Sequence, residues 1–255
     1  VLAEGTTVIE AAACEPEVVD LANLLNAMGA QITGAGSPRI TIEGVETLGR
    51  ADFVVMPDRI EAGTYIMAAI VTNGEIVIDN CPIDAMTALL DRLEEIGIRP
   101  QLALNQTDPS SDRMRQSVQI SHHGRLQPVH AATQPYPGFP TDLQAQLMAT
   151  LCLADGNSFI TENVFPDRFL HVAELLRMGA SLIRSGPSVL ISGANELIGA
   201  PVMASDLRAS AGLVLAGLAA RGTTIVNRVY HIDRGYEKID ERLNALGARI
   251  KRVNE

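Results

Sequence analysis

Four stretches of this chain share one arrangement of apolar and polar positions. Each opens at a glycine, runs through a short β-branched segment, continues as an amphipathic helix and closes at a second glycine. The pairs are Gly5 and Gly29, Gly74 and Gly97, Gly156 and Gly179, and Gly222 and Gly247, at intervals of 24, 23, 23 and 25 residues. The segments Thr7-Val8-Ile9, Ile76-Val77-Ile78, Ser158-Phe159-Ile160 and Thr224-Ile225-Val226 predict strands. Downstream, apolar residues recur three and four apart, as in Leu21, Leu24, Leu25 and Met28 or Ile239, Leu243 and Leu246, which predicts helices packed on a sheet. The second glycine stands where a left-handed helix stop belongs.

Three of the units follow a further, more uniformly apolar helix that an aspartate opens: Asp58 before 60–71, Asp142 before 143–153, and Asp206 before 207–219. A carboxylate there accepts otherwise unpaired backbone N–H groups, so all three are expected as helix caps. Residues 39–44 and 189–193 predict paired strands. The repeating unit is therefore helix, strand, helix, strands, an α/β plan fixed by internal repetition.

The first unit lacks its opening helix, because Val1-Leu2-Ala3-Glu4-Gly5 aligns with Cys152-Leu153-Ala154-Asp155-Gly156. The chain is expected to open inside a repeat and to stop just after a strand near Ile250, without the hairpin of the other units. Both ends are thus expected to be incomplete, with a sheet edge exposed. The interval from Gly97 to Asp142 is 45 residues, against 29 from Gly29 to Asp58 and 27 from Gly179 to Asp206. The excess falls at 105–124, whose turn-rich composition predicts a surface excursion.

Composition narrows the function classes. The chain has 255 residues, 47% of them hydrophobic, enough for a substantial core. No apolar run reaches the roughly 18 residues of a membrane span, and residues 1–7 do not resemble a signal peptide, so a soluble cytoplasmic protein is expected. Cys14, Cys81 and Cys152 are widely spaced and form no ligand pattern, so they are read as reduced and mostly buried. His122, His123 and His130 lack further ligands nearby and are read as a solvated loop; no metal and no cofactor are expected. A net charge of −10 and 4% aromatic residues argue against a nucleic-acid surface. An anionic ligand would need a local arginine cluster working against that field.

Five motifs carry a resemblance over the whole chain. They are Glu15-Pro16-Glu17, Pro57-Asp58-Arg59-Ile60-Glu61, the run Pro137-Gly138-Phe139-Pro140-Thr141-Asp142-Leu143-Gln144-Ala145-Gln146, Ala204-Ser205-Asp206-Leu207-Arg208-Ala209-Ser210, and Tyr230-His231-Ile232-Asp233-Arg234-Gly235-Tyr236. In these the chain resembles the UDP-N-acetylglucosamine 1-carboxyvinyltransferase family of enolpyruvyl transferases, in roughly its carboxy-terminal three-fifths. The resemblance implies an enolpyruvyl-transferase fold of repeated βαβαββ units, an inside-out α/β barrel truncated at its amino terminus. It implies that residues 1–57 end one domain and that 58–255 form most of a second. It also implies transfer of the enolpyruvyl group of phosphoenolpyruvate to the 3-hydroxyl of UDP-N-acetylglucosamine for peptidoglycan synthesis, with the missing amino-terminal segment as the chain's partner and no nucleic acid or membrane involved.

Such a transfer needs a base for the hydroxyl, an acid for the methylene carbon and cations for phosphate and carboxylate. By resemblance, Asp142 contacts the sugar and takes the hydroxyl proton, and Asp206 assists proton transfer; from the residues alone, both are equally well plain helix caps. The resemblance makes Arg208 a nearby cation, assigns Arg234 to phosphoenolpyruvate, and sets Val164 and Arg168 along the uridine end of the sugar nucleotide. Phe165, taken alone, reads as core, and Asp58 as a structural cap.

Ala11 and Ala62 depart from the family pattern, and the family's lysine-asparagine pair and its mobile loop with a reactive cysteine match nothing here. The isolated chain is therefore expected to be inactive. Two other readings stand beside the leading one: a relative acting on shikimate 3-phosphate, and a non-catalytic module that binds a sugar nucleotide.

Overall fold

The structure is a computed structural model that describes residues 1–102 and 113–253. Its elements follow the predicted repeat. The first unit is β1 (Thr6–Glu10), α1 (Pro16–Ala27), β2 (Gln31–Thr33) and β3 (Arg39–Glu43). The second is α2 (Arg59–Val71), β4 (Glu75–Cys81), α3 (Thr87–Glu95), β5 (Gln101–Leu102) and β6 (Gln116–Ser121). The third is β7 (His130–Ala132), α4 (Gln144–Leu151), β8 (Asn157–Thr161), α5 (Leu170–Arg177), β9 (Ser181–Ser185) and β10 (Ser188–Ser192). The fourth is β11 (Pro201–Met203), α6 (Leu207–Ala219), β12 (Ile225–Asn227) and α7 (Ile239–Ala245).

Among the described residues the strands form four separate sheets, ordered β1-β3-β2, β4-β6-β5, β7-β8-β10-β9 and β11-β12. The cladding is thus not a closed barrel. β7 and β11 run parallel to β8 and β12, while the hairpins pair antiparallel. No described strand pairs with the other edge of β12. No helix among the described residues is long and apolar enough to cross a membrane.

Inside the sheets, α2, α4 and α6 pack on one another. Their sequences are apolar over most of the circumference, the pattern of a helix largely surrounded by protein, and all eight residues of α4 are buried. The core they share runs from Ile60 to Leu243 and contains no residue of 1–57. In the first unit Val8, Ile9, Leu21, Val54 and Val55 are exposed, so its apolar faces contribute little to that core.

The alignment of the chain start with 152–156 holds in hydrogen bonds. Gly44 N donates to Gly5 O as Gly193 N donates to Gly156 O, and Val45 N donates to Val1 O as Ala194 N donates to Cys152 O. The four closing glycines all have positive φ, as predicted. Asn26 clasps the backbone of Ile32 through both its side-chain atoms, and Asn244 clasps Ile250 in the same way. The Ile250 segment nevertheless forms no strand, because no described segment lies beside it to complete a ladder.

Three further expectations need correction. Asp58 and Asp206 cap α2 and α6, each accepting two backbone N–H groups. Asp142 caps nothing: it lies in a 3-10 turn, Thr141–Leu143, and its side chain is turned elsewhere. The excursion placed at 105–124 is partly regular structure, because β6 is the middle strand of its sheet, with Val118 and Ile120 buried; residues 105–112 of it lie outside the described residues. Phe165 is 56% exposed and is no core residue.

Glycine inside a helix costs about 1 kcal/mol relative to alanine, so Gly212 in α6 calls for a packing reason. A Cβ there would sit 2.8 Å from the Ala145 carbonyl oxygen of α4, and that backbone cannot yield. Gly212→Val is therefore expected to lower the unfolding free energy by about 1–3 kcal/mol through overpacking, read as a lower urea midpoint. An unchanged midpoint would show that α4 and α6 separate without cost.

Candidate active site

The buried helices bring their amino-terminal ends together, and the site is built there. Asp142, turned away from α4, presents both carboxylate oxygens to arginines. Arg168 Nη1 donates to Oδ1 at 2.8 Å and Arg208 Nη2 donates to Oδ2 at 2.9 Å. The side chains are partly enclosed, 36% exposed for Asp142, 23% for Arg168 and 14% for Arg208. Burial alone would raise the Asp142 pKa, but the Arg208 charge and the Arg168 hydrogen bond together outweigh it and hold the carboxyl below its ordinary value. Burial opposes the charge of Arg208, yet Tyr236 and Asp142 raise its pKa on balance.

Each arginine has its own support. Arg208 Nη1 donates to the Tyr236 hydroxyl at 3.4 Å, with the guanidinium over the ring. That hydroxyl is fully buried and shares a hydrogen bond of 2.9 Å with Thr64 of α2, while Gln146 Nε2 of α4 lies 3.2 Å from both. One knot thus joins α2, α4 and the segment after β12. Arg168 Nη1 also donates to Thr141 Oγ1 at 3.1 Å, and its guanidinium lies over Phe165.

The remaining predicted residues are placed less decisively. Asp206 Oδ1 is engaged in capping α6 through Arg208 N and Ala209 N, and among the described residues no arginine side chain bonds to it. His171, wholly buried, is lowered to about 4 by burial, against the opposing pull of Asp206, and is neutral at ordinary pH. Val164 is half-buried on the loop leading to Arg168. Arg234 ends the 3-10 segment Val229–Arg234 two residues before Tyr236; it is exposed and has no side-chain partner among the described residues. His122 and His130 do not meet: one bonds Gly124 O and the other packs edge-on against Phe159.

A sequence model described as EPSP synthase (3-phosphoshikimate 1-carboxyvinyltransferase) matches residues 1–243. The chain belongs to the EPSP synthase family. Within that family its curated relatives include proteins named UDP-N-acetylglucosamine 1-carboxyvinyltransferase. The one from Desulfovibrio desulfuricans is 53% identical over 255 residues, covering 100% of this chain and 59% of the relative. The one from Nitratidesulfovibrio vulgaris is 50% identical over 254 residues, covering 100% and 58%. This chain therefore spans somewhat less than three-fifths of the relatives' length. Among solved structures, the enolpyruvyl transferase NikO from Streptomyces tendae superposes with a TM-score of 0.84 at 29% identity, covering 98% of this chain and 57% of that one. An EPSP synthase from Acinetobacter baumannii, at 18% identity and a TM-score of 0.69, covers 98% and 59% and shares the fold.

All the site residues lie within the part matched by the EPSP synthase family. Sequence reasoning did not single out Tyr236, Gln146 or Thr64. The available signal was polarity in the wrong place: Thr64 and Gln146 interrupt otherwise apolar helices, and buried polar groups must find partners.

Because Asp142 is held below the value of an unfolded aspartate, about 3.9, its pairing adds stability above that pH and loses it as pH falls through the folded-state value. Asp142→Asn is expected to flatten the rise in unfolding free energy between about pH 2 and pH 5, measured by urea denaturation at several pH values. An equally steep rise in the variant would show that the arginine pairing does not hold in solution.

Proposed function

We propose that this chain is part of an enolpyruvyl transferase that joins phosphoenolpyruvate to the 3-hydroxyl of UDP-N-acetylglucosamine, the committing step toward peptidoglycan precursors in the cytoplasm. The observation that carries the proposal is a carboxylate held between two arginines at the ends of buried helices, in a chain half identical to proteins named for that reaction. In the reaction the acceptor oxygen bonds to C2 of phosphoenolpyruvate as the methylene carbon takes up a proton; that carbon then gives a proton back as the bond from C2 to the phosphate oxygen breaks, so the double bond is restored and phosphate leaves. Asp142 takes the hydroxyl proton. Arg208 and Arg234 hold the phosphate and carboxylate of phosphoenolpyruvate, and Arg168 and Val164 line the sugar nucleotide. Arg168 supports this with Nε and Nη2 donors that engage no other group among the described residues. Asp206 assists proton transfer through Oδ2, since Oδ1 is committed to the helix cap.

We read residues 1–57 as the end of one domain and 58–255 as most of another. The core begins at Ile60, and the two parts are tied by the Arg59–Glu17 ion pair and by Arg115 reaching the Val55 carbonyl. The acid that protonates the methylene carbon is assigned to no residue here, so the chain needs the rest of the enzyme as its partner and is inactive alone.

Phosphate release from phosphoenolpyruvate tests this, with the chain alone and with a polypeptide of the relatives' full length that contains it. The long form is expected to turn over UDP-N-acetylglucosamine and not shikimate 3-phosphate, and the chain alone neither. Asp142→Asn in the long form should lose at least about 100-fold in kcat, the usual scale for removing a general base, while still binding the sugar nucleotide. Turnover of shikimate 3-phosphate alone would move the assignment to that substrate. Binding without any phosphate release by the long form would make it a binding module, and an active Asp142→Asn would remove the base.

A further inference from the structure

Beside the Asp142 cluster lies a second carboxylate that the proposed reaction does not use. Glu162 directly follows β8 and is wholly inaccessible. Four donors converge on it. Oε1 receives the Thr133 hydroxyl at 2.6 Å and the backbone N–H groups of Val164 and Phe165, each at 2.9 Å. Oε2 receives the Thr141 hydroxyl at 2.9 Å. A carboxylate can only accept, so it dictates the direction of every bond it makes.

That direction matters at Thr141. A hydroxyl has one hydrogen, and once it is given to Glu162 the oxygen can only accept from its other neighbour. That neighbour is Arg168 Nη1, at 3.1 Å, which at the same time donates to Asp142 at 2.8 Å. Glu162 also shapes the loop that carries Arg168: Asn163 N donates to Thr133 Oγ1, and Arg168 N donates to Phe165 O. The guanidinium is thus fixed from the backbone side by the loop and from the side-chain side by Thr141.

We propose that Glu162 is a positioning residue that orients the Arg168–Asp142 pair through the Thr141 hydroxyl. The proposal rests on the transferase reading, in which that pair faces the acceptor. A role confined to folding the 162–168 loop would be met by the three bonds to Oε1 and would leave the Oε2–Thr141–Arg168 line without consequence. In Glu162→Gln the three donors still require an oxygen, so the amide nitrogen faces Thr141 and the hydroxyl must accept where it donated. Thr141→Val removes the link and leaves the carboxylate in place, while Thr141→Ser keeps it.

The test is a double-mutant cycle in the full-length enzyme, with kcat, both KM values and the thermal midpoint measured for each variant. Glu162→Gln and Thr141→Val are each expected to lower kcat by roughly 100-fold, the scale of a misplaced catalytic group. The double variant should be no worse than the worse single one, because both act along one line. Thr141→Ser should stay close to the parent.

A double variant whose losses multiply, a Thr141→Val with parental kcat, or a Thr141→Ser as impaired as Thr141→Val would each overturn the proposal. If Glu162→Gln fails to fold, the Val and Ser variants at Thr141 decide alone. A carboxyl-carbon NMR titration of Asp142 separates this inference from the reaction reading. Its midpoint should rise in Thr141→Val as Arg168 loosens, whatever the activity, and an unmoved midpoint would sink the inference while leaving Asp142→Asn to judge the reaction.

Discussion

The site depends on one carboxylate shared by two guanidinium groups. Counting Asp142, Arg168 and Arg208 as ionised leaves the cluster with a single positive charge, in a chain whose net charge is −10. The surrounding negative field repels anions, so an anionic ligand can bind only where structure gathers and holds cations at one place. The holding is visible: Arg208 rests on Tyr236, Arg168 rests on Thr141, and each support is anchored in the buried part of the fold. Lysine could not replace either arginine, because each uses separate nitrogens or a planar face for separate partners.

The repeat explains why these groups meet at all. Buried helices of successive units pack side by side, so their first turns gather at one end, where backbone N–H groups and helix dipoles already favour anions. The same position then diverges from unit to unit. In α2 and α6 the aspartate does the expected work of a cap, whereas before α4 a short 3-10 turn frees Asp142 from that work and turns it toward the arginines. The close approach of α4 and α6 at Gly212 and Ala145 sets the distance across which Arg208 reaches Asp142.

Much of this was legible in the sequence because it is local. Paired glycines marked helix stops that all proved left-handed, and the residues after each opening glycine formed β1, β4, β8 and β12. What the sequence did not show depends on distant partners. β7 and β11 are three-residue strands that exist only because β8 and β12 lie parallel beside them. β6 was legible in principle, since Val118 and Ile120 alternate with polar residues, but its position beside a turn-rich run obscured it. In the site, Asp142, Arg168 and Arg208 were singled out because the family resemblance assigns them roles. Thr64, Gln146 and Tyr236 were not, because hydrogen bonds across 82, 90 and 172 residues leave no periodic trace.

The proposed chemistry also makes sense of an apparent mismatch. A general base works best with a pKa near the working pH, yet in this structure the arginines hold Asp142 below the ordinary carboxylate value, overriding the burial that would raise it. The two influences respond differently to ligands. An anionic substrate that engages Arg168 and Arg208 draws on their charge, and a bound sugar excludes water from a carboxylate already partly enclosed. The first change weakens the lowering influence and the second strengthens the raising one, so both drive the Asp142 pKa upward. Asp142 would thus become a competent base only when both substrates are in place. On the proposed reaction, the arginines that hold the Asp142 pKa down in this structure would be the groups whose occupation by anionic substrates raises it.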